Sequence, residues 1–152
     1  MPPLSSSWSS DTLSRESLAA LLNAAGRLSD AAASHDGLPQ LLRGKRLALL
    51  SNDHASPAAV AFRLAATELG AHVALVRADT ASGPRSLAAL LGQLYDAIEC
   101  QGVSESALRE LGREAGVPVF NNIGSRAHPL YASADPQDHH HLLQALLCRA
   151  LS

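Results

Sequence analysis

The chain has 152 residues and a net charge of −2, a size that fits one domain and a balance that disfavours a nucleic-acid partner. Hydrophobic residues make up 47% and include 28 Ala and 27 Leu against 8 Val plus Ile, a soluble globular composition that leans to helix. Two cysteines, Cys100 and Cys148, are too few for a disulfide scaffold. With no apolar run of membrane length and no signal peptide visible, they point to the cytoplasm and to no membrane partner.

Residues 1–12 are rich in Ser and Pro and read as a flexible arm, leaving residues 13–152 as the domain. Leu18, Leu21, Leu22, Ala25 and Leu28 form one stripe of an amphipathic helix. The run Arg46 to Leu50 is a buried strand. Ser56 followed by Pro57 starts a helix, with Ser56 capping an N–H and Pro57 having none to waste. Val60, Ala61, Leu64 and Ala65 are its expected buried stripe, and Gly70 ends it. His72 to Val76 is a second strand, Thr80 to Gly83 a polar loop, and Leu87, Leu90, Leu91 and Leu94 a third helix. Tyr95 to Cys100 is a third strand, and Ser104 caps a fourth helix that Gly116 closes. Val117 to Phe120 is a fourth strand, placed at the sheet edge by Pro118. Asp135 and Pro136 open a last helix that buries Leu142, Leu143, Leu146 and Leu147.

Strands alternating with helices predict an α/β fold: a four-stranded parallel sheet with helices on both faces. Ligands of such sheets bind at the carboxyl ends of the strands, which singles out residues 51–57, 77–86, 99–104 and 121–131.

Four segments in register carry a resemblance. They are Leu42 to Leu49, Glu68 to Val73, Leu94 to Glu99, and Ala115 to Asn121 followed by His128-Pro129. Together they resemble the N-terminal domain of the aspartate/ornithine carbamoyltransferase family, the ornithine branch more closely, from about Leu38 to Pro129. The resemblance implies a domain that binds carbamoyl phosphate and forms trimer contacts, with the amino-acid-binding domain absent from this chain.

The family's phosphate loop, Ser-Thr-Arg-Thr-Arg, falls on Ala55-Ser56-Pro57-Ala58-Ala59. Its Asp-Thr-Ala-Arg helix falls on Ser86-Leu87-Ala88-Ala89, and a further Arg falls on Gln101. Its His-Pro-x-Gln becomes His128-Pro129-Leu130-Tyr131. Arg grips phosphate with a planar fork of donors that neutral groups do not replace. Each charge-assisted bond lost costs roughly 1.5–3 kcal/mol. The expectation is therefore a chain without catalytic residues, a pseudoenzyme serving as a binding or interaction module. Two alternatives stand beside it: a small-molecule site for an amino acid or amide, and half of a split carbamoyltransferase.

The altered pocket is expected at Asn52, His54, Ser56, Gln101 and His128, with Ser51, Asn121, Asn122 and Tyr131 nearby. These groups are neutral, so the cleft is predicted to be open and uncharged. His128 either keeps the family's carbamoyl-oxygen contact or shapes the turn after the fourth strand. Cys100 with His54 or His128 would make a nucleophile, but a Cys at a strand end is more often a small buried hydrophobe. His139-His140-His141 is read as the exposed start of the last helix, since adjacent helical residues point apart and cannot share one metal ion. No metal and no cofactor is implied. The Leu positions of the last helix predict that it packs back on the domain or on a copy of it, within a homo-oligomer for which the resemblance suggests a trimer.

Overall fold

Arg46–Leu50 (β2), His72–Val76 (β3), Ala97–Cys100 (β4) and Val119–Asn121 (β5) are parallel strands, joined at the outer edge of β5 by a two-residue strand, Ser7–Trp8 (β1). The structure, a computed structural model, describes residues 7–8, 15–77, 85–132 and 134–151. The sheet order is β1-β5-β4-β2-β3. From β2 the chain steps out to β3 and then returns to the other side of β2, so the strand order switches between β2 and β4. There the Gln101 N–H donates to the Leu50 carbonyl at 2.8 Å.

Five helices cover the sheet: α1 (Arg15–Ala33), α2 (Pro57–Glu68), α3 (Arg85–Leu94), α4 (Glu105–Glu114) and α5 (His139–Leu151). Alternation along each strand divides the core in two. Leu47, Leu49 and Phe120 face α1, α2 and α5, while Ala48, Leu50, Ile98 and Cys100 face α3 and α4. The predicted α/β fold with helices on both faces is therefore present. No helix among the described residues is long and apolar enough to cross a membrane.

Several local expectations are corrected. Ser7–Trp8 belongs to the predicted arm yet pairs with Val119 and Phe120, which makes a fifth strand. An unpaired sheet edge offers donors and acceptors to any extended backbone, and two residues carry no alternation to detect. The rest of residues 1–12, and the Thr80 to Gly83 loop, lie outside the described residues. Pro118 precedes β5 rather than marking an edge; its carbonyl accepts from the Ile98 N–H at 3.0 Å, and β5 lies between β4 and β1.

Helix α2 buries Ala59, Phe62, Ala65 and Ala66, leaving Val60 and Leu64 of the predicted stripe exposed. The ring of Phe62 outweighs either aliphatic side chain in buried area, which turns the helix toward it. In α3, Leu91 and Ala88 are buried while Leu90 and Leu94 are exposed; the Leu87 side chain lies outside the described residues. Gly92 sets that rotation, because a Cβ there would stand 1.7 Å from the Ala115 carbonyl oxygen.

Leu142, Leu143, Leu146 and Leu147 are buried as expected, and α5 packs on α1 and α2 of its own domain. The predicted exposure of the histidines fails at His139, which is 4% exposed with its ring edge-to-face on Tyr131 at 4.4 Å. His140 meets Glu68 at 3.0 Å, and His141 bonds Gln144 at 3.0 Å. A short 3-10 turn, Pro136–Asp138, capped by Asp135, leads the chain into the core one residue before α5 begins. That entry angle is what buries the first histidine.

Candidate functional site

The loop after β2 spends its polar groups on itself. The Ser51 N–H donates to the Val76 carbonyl at 3.0 Å, and Ser51 Oγ accepts from the Asp53 N–H at 3.1 Å. His54 Nε2 donates to the same Val76 carbonyl at 3.0 Å. A carbonyl only accepts, so Nε2 carries the ring proton. Ser56 Oγ accepts from the Ala59 N–H at 3.1 Å, the expected cap, with Pro57 in the first helical turn. Asn52 is exposed.

Across the switch point lies a carboxyl that sequence reasoning passed over. Glu99 is fully buried. Its Oε1 accepts from the Ile123 N–H at 3.2 Å, and its Oε2 accepts from the Gly124 N–H at 2.8 Å and from Gln101 Nε2 at 3.1 Å. Burial pushes this carboxyl up to about 7 against the pull of those donors. Gln101 is thus tied to Glu99, and its Oε1 is buried without a partner. Gly124 fits beneath the first turn of α2, where a Cβ would meet the Ala58 carbonyl oxygen at 2.3 Å. Cys100 points to the α3/α4 side, and burial, with the Glu99 charge behind it, raises its thiol well above the usual range. Far from any thiolate character, and with His54 bonded elsewhere, no Cys–His nucleophile is built.

His128 is 9% exposed, and its Nδ1 accepts from the Leu130 N–H at 3.0 Å. It caps the 3-10 turn Pro129–Tyr131, which is the turn-shaping reading, and burial lowers its pKa. The Tyr131 hydroxyl donates to the Ile123 carbonyl at 2.5 Å. His139 lies against Tyr131, its pKa lowered first by burial and then by the charge of Arg126. Its Nε2 is buried with no hydrogen-bond partner.

An open cleft of about 670 Å³ lies where residues 55–58 meet residues 124–127 and the start of α5. Its wall is apolar, formed by Ala58, Val60, Ala61 and Leu64 of α2. Arg126, His139 and His140 also line it, so the predicted uncharged cleft is corrected to one that holds a cation. Arg126 is carried in by the turn that follows Ile123, and the surfacing of Val60 and Leu64 supplies the apolar wall. Of the predicted site residues, Asn52, His54, Ser56, Gln101 and His128 are not on this lining; their neighbours Ala55, Pro57 and Ala127 are. The signal that would have found Arg126 was its place as the one Arg or Lys in residues 121–131, a segment already singled out at a strand's carboxyl end. Among the described residues no group of His, Cys, Asp or Glu is arranged to hold a metal ion.

A parallel sheet with helices on both faces, polar loops at its carboxyl ends and a cleft beside the switch point defines a single α/β domain of the open-sheet type. The family model "Aspartate/ornithine carbamoyltransferase, carbamoyl-P binding domain" matches residues 6–140, and the chain belongs to that family. It is 38% identical over 122 residues to the catabolic ornithine carbamoyltransferase of Burkholderia mallei, covering 76% of this chain and 35% of that protein. It is 37% identical over 101 residues to the ornithine carbamoyltransferase of Actinobacillus pleuropneumoniae serotype 5b, covering 63% of this chain and 30% of that one. The chain therefore spans about a third of the length of these relatives. Among solved structures, the anabolic ornithine carbamoyltransferase of Campylobacter jejuni superposes with a TM-score of 0.64 at 25% identity, over 74% of this chain and 37% of that one. The catalytic subunit of M. jannaschii aspartate transcarbamoylase shares the fold, with a TM-score of 0.65 at 23% identity over 80% of this chain and 42% of that one.

Proposed function

We propose that this domain has left carbamoyl transfer and serves as a binding module, a pseudoenzyme of its family. One observation carries the reading. The start of α2, where the family resemblance puts the phosphate loop, holds Ala55, Ser56, Pro57, Ala58 and Ala59 and no cation. Its one hydroxyl is a neutral donor whose oxygen already accepts from the Ala59 N–H, and Pro57 contributes no backbone donor. A phosphate dianion needs charge-assisted donors to leave water. The test is an assay of the pure chain for carbamoyl transfer to ornithine and to aspartate, with calorimetric titration of carbamoyl phosphate. No turnover and no saturable heat are expected; measurable transfer by the chain alone overturns the reading. Turnover appearing only when a second chain is added would assign it instead to half of a split enzyme.

A second reading, a small-molecule site of altered specificity, is favoured by the cleft with its apolar wall and Arg126. The proposal places the protein in the cytoplasm as a homo-oligomer. Support for assembly comes from the exposed Leu75, Leu90 and Leu94.

A further inference from the structure

The cleft beside α2 combines three features. Val60, Ala61 and Leu64 give an apolar wall on which Val60 and Leu64 are 40% and 51% exposed. Arg126 shares the lining, without an ion pair and with no acidic side chain beside it on that lining among the described residues. At the inner wall stands His139, whose Nε2 is buried and unpartnered. A buried ring nitrogen without a partner, protonated or not, calls for a hydrogen bond. The occupant that satisfies all three has a carboxylate, an adjacent hydrogen-bonding group and a hydrocarbon chain. A hydroxyl both donates and accepts and so serves Nε2 in either tautomer, while an ammonium would add a positive charge beside Arg126.

We propose that this cleft binds an aliphatic α-hydroxy acid, its carboxylate on Arg126, its hydroxyl on His139 Nε2 and its chain along Val60, Ala61 and Leu64. The proposal deepens the small-molecule reading above and rests on it. A volume of about 670 Å³ accommodates such a molecule with room for water.

Calorimetric titration of the pure chain with 2-hydroxyisocaproate, isocaproate and L-leucine tests it. The hydroxy acid is expected to bind saturably, with the other two weaker by about tenfold or more. Arg126→Gln, a change at an exposed side chain, is expected to weaken the hydroxy acid by about tenfold or more. His139→Phe keeps an aromatic ring on Tyr131 and is expected to erase the preference for hydroxy acid over isocaproate. Should that variant fail to fold by circular dichroism, the Arg126→Gln result decides alone. No saturable heat with any of the three acids up to about 10 mM, or unchanged affinity in Arg126→Gln, overturns the proposal. Leucine binding as tightly as the hydroxy acid overturns the hydroxyl assignment. A carbamoyl phosphate titration run alongside separates the two failures: heat from it counts against the loss of carbamoyl transfer, while silence from all three acids counts against this site only.

Discussion

Glu99 sits in the mouth of the sheet with three donors around it and no cation among them. Because burial pushes its carboxyl from 4.5 up to about 7, folding favours the neutral form. Its contribution to stability is therefore complete below the unfolded value of 4.5 and is lost as pH rises through about 7. The full swing is on the order of 3 kcal/mol. His128 and His139 work in the opposite sense, since burial lowers both and their neutral forms are lost as pH falls. Comparison with Glu99→Gln isolates the carboxyl. Urea denaturation is expected to show wild type losing stability relative to that variant as pH rises from 4.5 to about 7, and a constant difference across that range would refute it. Gly124 closes the same knot from the other side. Gly124→Ala would press a methyl to within 2.3 Å of the Ala58 carbonyl, which only backbone movement relieves. The expected loss is about 1–3 kcal/mol by denaturant midpoint; a neutral result would mean that the loop is free to shift.

Among the elements, α2 and α5 hold the cleft open between them. Ser56 satisfies one of the donors that the start of α2 leaves unpaired. Ser56→Ala is expected to cost about 1 kcal/mol, read from the thermal midpoint. The two helices are also tied by a polar strip. Buried Gln144 donates to the Ala65 carbonyl at 3.1 Å, and Glu68 Oε1 receives both Gln144 Nε2 at 3.3 Å and His140. Beneath that strip α5 is apolar and enclosed. Leu146→Ala would empty part of a side chain that is 1% exposed. A loss of about 2–5 kcal/mol is expected, seen in urea denaturation. Truncation at Asp135 would uncover the α1 and α2 faces together and is expected to leave an insoluble chain; unchanged solubility would refute the role given to α5.

At the scale of the whole molecule, large apolar side chains stay exposed on the outer strand β3 and on α3. Water around Leu75, Leu90 and Leu94 is released if another surface covers them. Light scattering at micromolar concentration is expected to return a mass above the 15.8 kDa of one chain, and a monomer would refute assembly.

Local chemistry by itself determined much of this protein. The Ser56-Pro57 start, the Gly70 and Gly116 ends and the short apolar runs name their elements because caps, positive φ and period act within a few residues. The order of those elements, with four segments resembling one family, was enough for the architecture. Tertiary structure decided the rest, because each remaining outcome depends on partners distant in sequence. Which stripe of α2 faces inward depended on what Phe62 meets, and that choice surfaced Val60 and Leu64 as the wall of the cleft. Ser7–Trp8 became a strand because β5 had an open edge. Glu99 reads as an ordinary carboxylate beside Cys100 until Ile123 and Gly124 close over it. His139 is one of three adjacent histidines in the sequence, and only the turn before α5 buries it against Tyr131, on the same cleft as Arg126. Burial and charge proximity are sums over neighbours brought together by folding, and no window of sequence contains them.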